Sequence, residues 1–324
     1  MKTKALINRL SDGAVHSGAS LAVELGVSRT AVWKQVHRAQ EKGYPIETLR
    51  GQGYRLTESV DLLDAERIRS RLDKALVERL DLVVLETVDS TNAEIVRRRS
   101  RPQDGCHSMM VCLADAQTAG RGRRGKVWQS PPGENLYLSF GLTLPGGFSA
   151  LDGLSLVVGS AVAEALEALG VEDIQLKWPN DIMHKGSKLA GILIELQGEL
   201  EGAAQVVAGI GLNVHMQHAA GVDQPWTSLA RIAGGGHEWR RNNIAVHLVA
   251  AVVAAVDRFS ESGFADFQPQ WQSRDLFFGE ELKAVQGELK GIGCGIDASG
   301  NYLIQTINGI ETIRAGEISM RVVT

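Results

Sequence analysis

QTAGRGRRGKVW, residues 117–128, sets Gly120, Gly122 and Gly125 among Arg121, Arg123, Arg124 and Lys126, and closes on Trp128. Glycine reaches backbone angles closed to other residues and leaves amide N–H groups uncovered. Uncovered amides with guanidinium forks between them make a concave seat for a phosphate or carboxylate. The spacing is neither that of a Walker loop nor that of a dinucleotide fingerprint. On residues alone the stretch is an anion-binding loop, a solvated basic loop or a nucleic-acid contact. Trp128 favours an ordered site, because a large ring needs somewhere to pack.

Outward from this loop the pattern is mixed. Met109–Ala114 is an unbroken apolar run of buried-strand length that feeds straight into it. Before that, Leu82–Leu85 reads as a short strand, and Asp89-Ser90-Thr91-Asn92 as turn and cap for a helix to Arg99. Beyond the loop follow a strand over Leu136–Leu144, a helix over Leu154–Leu169, and a strand from Ile174 that stops at Pro179-Asn180-Asp181. Strands over Lys188–Leu196 and Ala204–Val214 flank a polar hinge, Gly198–Gly202, and an apolar helix runs from Arg240 to Glu261. Residues 216–226 are polar, contain Gly and Pro, and are expected to be mobile. Strands and helices interspersed in this order predict an α+β body.

Lys177, Asn180, Asp181 and Lys188 fall within a dozen residues at the junction of two expected strands. Lysines beside an arginine-rich loop hold phosphates or offset charge that develops in transfer. Asp181 either ligates magnesium, orients an amine, or caps the turn after Pro179. Lys188, at a strand start, serves the site or snorkels out, and Asn213 binds a ligand or makes a turn. No Ser–His–Asp spacing stands out and the eight histidines form no H-E-x-x-H, which argues against serine or metal hydrolysis. What remains is a phosphate-handling enzyme whose reaction the spacing leaves open.

The flanks differ from the body. Residues 1–58 carry nine Lys and Arg against five Asp and Glu, a balance of +4 in a chain whose net charge is −4. A basic head on an acidic remainder points the head at a polyanion. Helices over 3–10, Ser20–Leu25 and Arg29–Lys42, with a turn at Gly26 and a cap at Ser28, suggest a helix-turn-helix. Tyr44–Leu56 adds a hairpin with Arg50, Gln52 and Arg55 near its tip, so the head reads as a winged helix-turn-helix or a small helical interaction domain. Ser28, Arg29, Thr30, Trp33, Lys34 and Arg38, with Arg50, Gln52 and Arg55, are the candidate DNA contacts. Asp61–Leu80 is helical in period, with Asp64 as cap. Short strands over Leu282–Val285, Leu289–Ile296, Tyr302–Ile307, Gly309–Ile313 and Ile318–Val323 suggest a small C-terminal barrel.

At 324 residues the chain exceeds one usual domain, and divisions are expected at 1–60, 61–272 and 273–324. The hydrophobic share is 44%, no run of 18 apolar residues occurs, and the N-terminal residues lack a signal-peptide core. A cytoplasmic protein without membrane contact is expected. Cys106, Cys112 and Cys294 have no metal-ligand spacing, so neither disulfide nor structural metal is expected.

Asp89-Ser90-Thr91-Asn92, Gln117 with GRGRRG at Gly120–Gly125, KWPND at 177–181 and KLAGIL at 188–193 occur in the order seen in biotin protein ligases. The chain resembles that family over essentially its whole length, and within it the bifunctional bacterial members that also repress the biotin operon. The resemblance implies a central α+β ligase domain related to class II aminoacyl-tRNA synthetases and a C-terminal SH3-like β-barrel. It implies activation of biotin by ATP with Mg2+ to biotinyl-5'-AMP, then transfer to a lysine of the biotin carboxyl carrier protein of acetyl-CoA carboxylase. These are substrates; no tightly bound cofactor is implied.

By resemblance, Ser90, Thr91, Asn92, Gln117, Gly120, Arg121 and Gly122 border biotin. Arg123 and Lys188 reach its carboxylate and the phosphate, Lys177 supports that phosphate, and Asp181 orients the carrier lysine. Trp128, Asn180, Trp226 and Arg321 (after Gly316–Ser319) join the nucleotide, with Asn213 beside magnesium. An adenylate-bound homodimer would place two heads on operator DNA.

Overall fold

Two serines start the helices of the head. In the computed structural model, which describes residues 2–100, 109–145, 151–197, 203–219, 221–222, 224–234, 236–285, 289–314 and 320–322, α1 (Lys2–Leu10) precedes α2 (Gly18–Glu24) and α3 (Arg29–Glu41). Ser17 and Ser28 accept hydrogen bonds from the amides of Ser20 and Ala31, satisfying donors that a first helical turn leaves free. Gly26, at φ +63°, turns the chain between α2 and α3. Leu6, Ile7, Leu10, Leu21, Val32 and Val36 close a small apolar core. Strands β1 (Ile46–Leu49) and β2 (Gly53–Leu56) pair antiparallel and leave Arg50-Gly51-Gln52 at the tip. His16 and Tyr54 exchange two backbone hydrogen bonds of 2.9 Å beside them. The result is a helix-turn-helix with a wing.

The expected helix over Asp61–Leu80 divides into α4 (Ala65–Arg69) and α5 (Lys74–Arg79). Asp64 and Asp73 cap them separately, so a fresh start interrupts the helical period. The body then builds β3 (Leu80–Leu85), α6 (Thr91–Arg99), β4 (Met109–Ala114), β5 (Asn135–Leu144), α7 (Leu154–Ala168) and β6 (Ile174–Lys177). It continues with β7 (Asp181–His184), β8 (Ser187–Gln197), β9 (Ala204–Asn213), α8 (Leu229–Ala233), α9 (Arg241–Ser262) and α10 (Gln268–Gln272).

One seven-stranded sheet runs β3-β4-β5-β9-β8-β7-β6, with β3 and β4 parallel and the other neighbours antiparallel. Helices α7 and α9 bury one face, while Ile95 of α6 packs with Met110, Cys112 and Val207 on the other. Covered twice, β4 is buried at every position, which is why its sequence does not alternate. Helix α9 is long and apolar enough to cross a membrane by composition, yet it lies on α7 and buries Ile244, Leu248, Val252 and Val256 in the core.

The C-terminal strands are β10 (Glu281–Ala284), β11 (Lys290–Ile296), β12 (Tyr302–Thr306), β13 (Gly309–Ile313) and β14 (Met320–Val322). They stand where the sequence places strands, but they do not form the expected SH3-like barrel. The sheet is open, in the order β13-β12-β11-β10-β14. Closure needs the two edge strands to exchange hydrogen bonds. Here the three-residue β14 pairs with β10, while Ile310, Glu311 and Thr312 on β13 face solvent.

The open sheet shares the core of the body. The Trp178 indole N–H donates to Gly300 O at 3.0 Å, and Phe277 meets Tyr302 edge-on. Leu176 bonds through its backbone to Arg274 and Leu276. The hinge Gly198–Gly202, the segment Gly316–Ser319 and Cys106 lie outside the described residues.

Candidate active site

The stretch 117–128 is the upper part of a narrow hairpin. Its arms are tied by Gly133 N to Asp115 O (3.0 Å), Trp128 N to Gly120 O (3.0 Å) and Gly122 N to Lys126 O (2.7 Å). The hairpin lies over β8 and β9 and lines a cavity of about 340 Å³, within the usual size range of small-molecule sites.

Glycines on the sheet make room for it. Gly191 and Gly211 face each other across β8 and β9, and Trp128 lies on them. A Cβ on Gly211 would stand 2.4 Å from the indole, and one on Gly209 would stand 2.3 Å from Asn92 Oδ1. Because strand side chains alternate, Gly209 and Gly211 open the same face.

One end of the cavity is cationic. Lys188 Nζ lies 2.6 Å from Asp181 Oδ1 and 5.4 Å from the centre of a Trp128 ring. Arg123 donates to Asn180 Oδ1 at 2.9 Å, while Asn180 donates to Ile192 O at 2.8 Å. Lys177 and Arg321 complete the lining there. Burial lowers the pKa of Arg123, and the neighbouring charge of Arg124 adds to this. Burial likewise lowers that of Lys177; Asp181 opposes the shift, while Lys188, Arg321 and Lys126 reinforce it. Partly desolvated cations gathered around one carboxylate are stabilised by an arriving anion.

The other end is polar and largely neutral. Gln117 Oε1 accepts from the Thr91 amide at 2.9 Å and from its hydroxyl at 3.2 Å. Gln117 Nε2 donates to Ser130 Oγ at 3.0 Å. Ser139 bonds both Thr91 Oγ1 (2.7 Å) and Asn92 Oδ1 (2.6 Å). Asn92 donates to Glu195, which also meets Arg121 at 3.2 Å.

The cavity wall therefore brings together Ser90, Thr91, Asn92, Gln117, Arg121, Gly122, Arg123, Trp128, Lys177, Asn180, Asp181, Lys188 and Arg321. Gly120 is a rung of the hairpin behind it. Asn213 and Trp226 are not on the wall. Asn213 is buried and donates to Thr227 O at 2.9 Å, while Trp226 pairs with Lys188 in a backbone bridge and stacks under Arg231. Sequence reasoning passed over Ser130, Ser139 and Glu195, which orient the polar end, and over β7, which sets Asp181 opposite Lys177. The pair Gly209 and Gly211, two residues apart on one strand, was a usable signal for an open floor.

In the head, Arg29, Thr30, Trp33, Lys34 and Arg38 stand on the solvent side of α3, with Arg50 and Gln52 exposed on the wing. Trp33 is 54% exposed and stacks on His37 at 5.5 Å. Ser28 is engaged as the cap, and Arg55 pairs with Glu47 at 2.7 Å.

Residues 84–213 match the biotin/lipoate A/B protein ligase family, and residues 2–55 match an HTH domain. The bifunctional ligase/repressor BirA of Salmonella typhimurium and that of Escherichia coli are each 39% identical over 320 residues, 98% of this chain and 96% of theirs. The BirA of Bacillus subtilis is 32% identical over 94% of this chain and 93% of its own. Among solved structures, the biotin protein ligase from Aquifex aeolicus in complex with biotin and ATP aligns with a TM-score of 0.65 at 33% identity, over 75% of this chain and 99% of that one. With its helix-turn-helix head and its cavity cationic at one end and neutral at the other, the chain belongs to the biotin protein ligase family, among the bifunctional ligase/repressors.

Proposed function

We propose that the chain activates biotin with ATP to biotinyl-5'-AMP and passes the biotinyl group to one lysine of a biotin carboxyl carrier protein. The observation that carries this reading is the polarity of this cavity, with Thr91 and Gln117 at one end and Lys188, Arg123 and Lys177 at the other. A carboxylic acid with a neutral polar head fits it one way round.

In the first step the biotin carboxylate attacks the α-phosphorus. An O–P bond forms and the bond to pyrophosphate breaks. Lys188 and Arg123 donate to the carboxylate and phosphate oxygens where charge builds, and Lys177 supports the same phosphate. In the second step a carrier amine attacks the acyl carbon, the C–O bond to AMP breaks, and the amine gives up a proton. Asp181 orients that amine. Arg321, on the cavity wall, holds the nucleotide side, and Trp226 joins it from the segment bridged to Lys188. Magnesium enters with ATP; Asn213 is buried off the cavity wall and donates to Thr227 O, so we assign it to holding that segment.

Residues 1–60 read operator DNA, 61–272 hold the chemistry, and 273–324 cover the nucleotide side. The adenylate-bound form pairs to present two heads, which requires the bound state to dimerise more tightly than the free one. The setting is cytoplasmic.

Incubation with ATP, magnesium, biotin and a carrier domain, followed by intact mass, tests the ligase. The carrier gains the mass of one biotinyl group and loses that gain when its target lysine is replaced; absence of transfer removes the reading. Replacing Lys34 and Arg38 by alanine in the full chain weakens operator binding and lowers the salt slope by about two. Unchanged binding would take these side chains off the DNA.

Lys177 also predicts a pH effect. Its pKa is lowered, so its charge is lost at lower pH than that of a free lysine, and adenylation declines there. Lys177→Arg, which stays charged, moves the alkaline limb of the rate profile upward; a limb that does not move assigns it to another group.

A further inference from the structure

Arg241 and Asp115 form a buried ion pair outside the cavity lining, at 0% and 1% exposure, and the chemistry above uses neither. The guanidinium meets Asp115 Oδ1 at 2.6 Å and Asn135 O at 2.9 Å. Its Nε donates to Asp61 O at 2.8 Å, and Leu63 N adds a 3.0 Å bond to Asp115 Oδ1. A charge so far from water is held only where its donors are used.

Two routes lead from this pair to the substrate. Asp115 is the lowest rung of the hairpin, bonded through its carbonyl to Gly133, two residues before Gln117 on an arm that continues to Arg121 and Arg123. Asn135 pairs with Asn213 across β5 and β9, and its side chain accepts from Val214 N at 3.0 Å. Asn213 in turn holds Thr227, whose amide bonds Lys188 O at 2.9 Å. One guanidinium thus ties the base of the biotin-side hairpin to the base of the segment carrying Trp226.

We infer that Arg241 and Asp115 are positioning residues for both substrates, setting the hairpin and the Trp226 segment at a common height over the sheet. This rests on the ligase reading. A lysine keeps the charge of Arg241 but not the planar fork that reaches three chain segments.

Arg241→Lys is therefore expected to raise KM for biotin and for ATP together by about tenfold, with the smaller change in kcat. Replacing the pair by Arg241→Met with Asp115→Leu removes both charges, which restores stability in many buried pairs. The double variant melts near the wild type but keeps the raised KM values. Hydrogen exchange at the Gly122 and Trp128 amides, read without substrate, is faster in both variants. A folded double variant with wild-type KM values overturns the inference, as does recovery of Tm and KM together, which marks a purely structural pair. Wild-type protein that forms no adenylate removes the ligase reading and this inference with it; a working wild type with unmoved variants removes the inference alone.

Discussion

Lys188→Ala lowers the rate of biotinyl-adenylate formation by about 10²–10³-fold, the usual cost of one preorganised donor to a developing charge. The ammonium belongs to the second residue of β8, 2.6 Å from Asp181 and over the Trp128 ring, so carboxylate, aromatic face and strand hold it in place before substrate arrives. Alanine removes the donor and leaves Asp181 facing the cavity without its nearest cation. The side chains are 14% and 16% exposed, and Arg123 and Lys177 remain in the same cavity, so the fold persists. Pyrophosphate release in a single turnover reads the step directly. A wild-type rate in a folded Lys188→Ala protein would take Lys188 out of the chemistry.

Gly211→Val is expected to weaken biotin and ATP binding by at least about tenfold and to cost about 1–3 kcal/mol of stability, the range for overpacking a well-filled site. The first added carbon would stand 2.4 Å from the Trp128 ring, which no small adjustment of a strand relieves. The ring must leave the floor, and it carries the hairpin arm with it, because Trp128 N is bonded to Gly120 O. Gly159→Ala on α7 is the control: its nearest neighbour would be Ile192 at 3.5 Å, an ordinary contact. Calorimetric titration with each substrate and thermal denaturation separate the two effects. Wild-type affinity in Gly211→Val would show that Trp128 does not shape the cavity.

Local rules made much of this protein legible. Ser28 before Arg29 starts a helix because a serine oxygen satisfies a free amide, and that needs only neighbouring residues. The apolar run Met109–Ala114 is a strand covered on both faces, and the glycine–arginine stretch 117–128 forms the hairpin over the cavity. KWPND and KLAGIL supply the lysines in the order the family uses, so most of the cavity wall could be named from sequence.

What depended on distant partners was not legible. Strand β7, four residues long between turn residues, exists because Lys177 and Asp181 pair across their turn and β8 pairs on the far side. Glu195 orients Asn92 from 103 positions away, and Arg241 reaches Asp115 across 126. Neither contact follows from spacing along the chain. The C-terminal strands could be placed one by one, but whether their edges meet is set by twist, strand length and the core they share with Trp178, and they remain open. By itself the sequence determined most of the elements, many of the residues that line the cavity and the family, since each rests on spacing along the chain. The tertiary structure alone decided which charges are buried, how the glycines seat Trp128 and where the last sheet stops, because those follow from contacts between segments far apart in the chain.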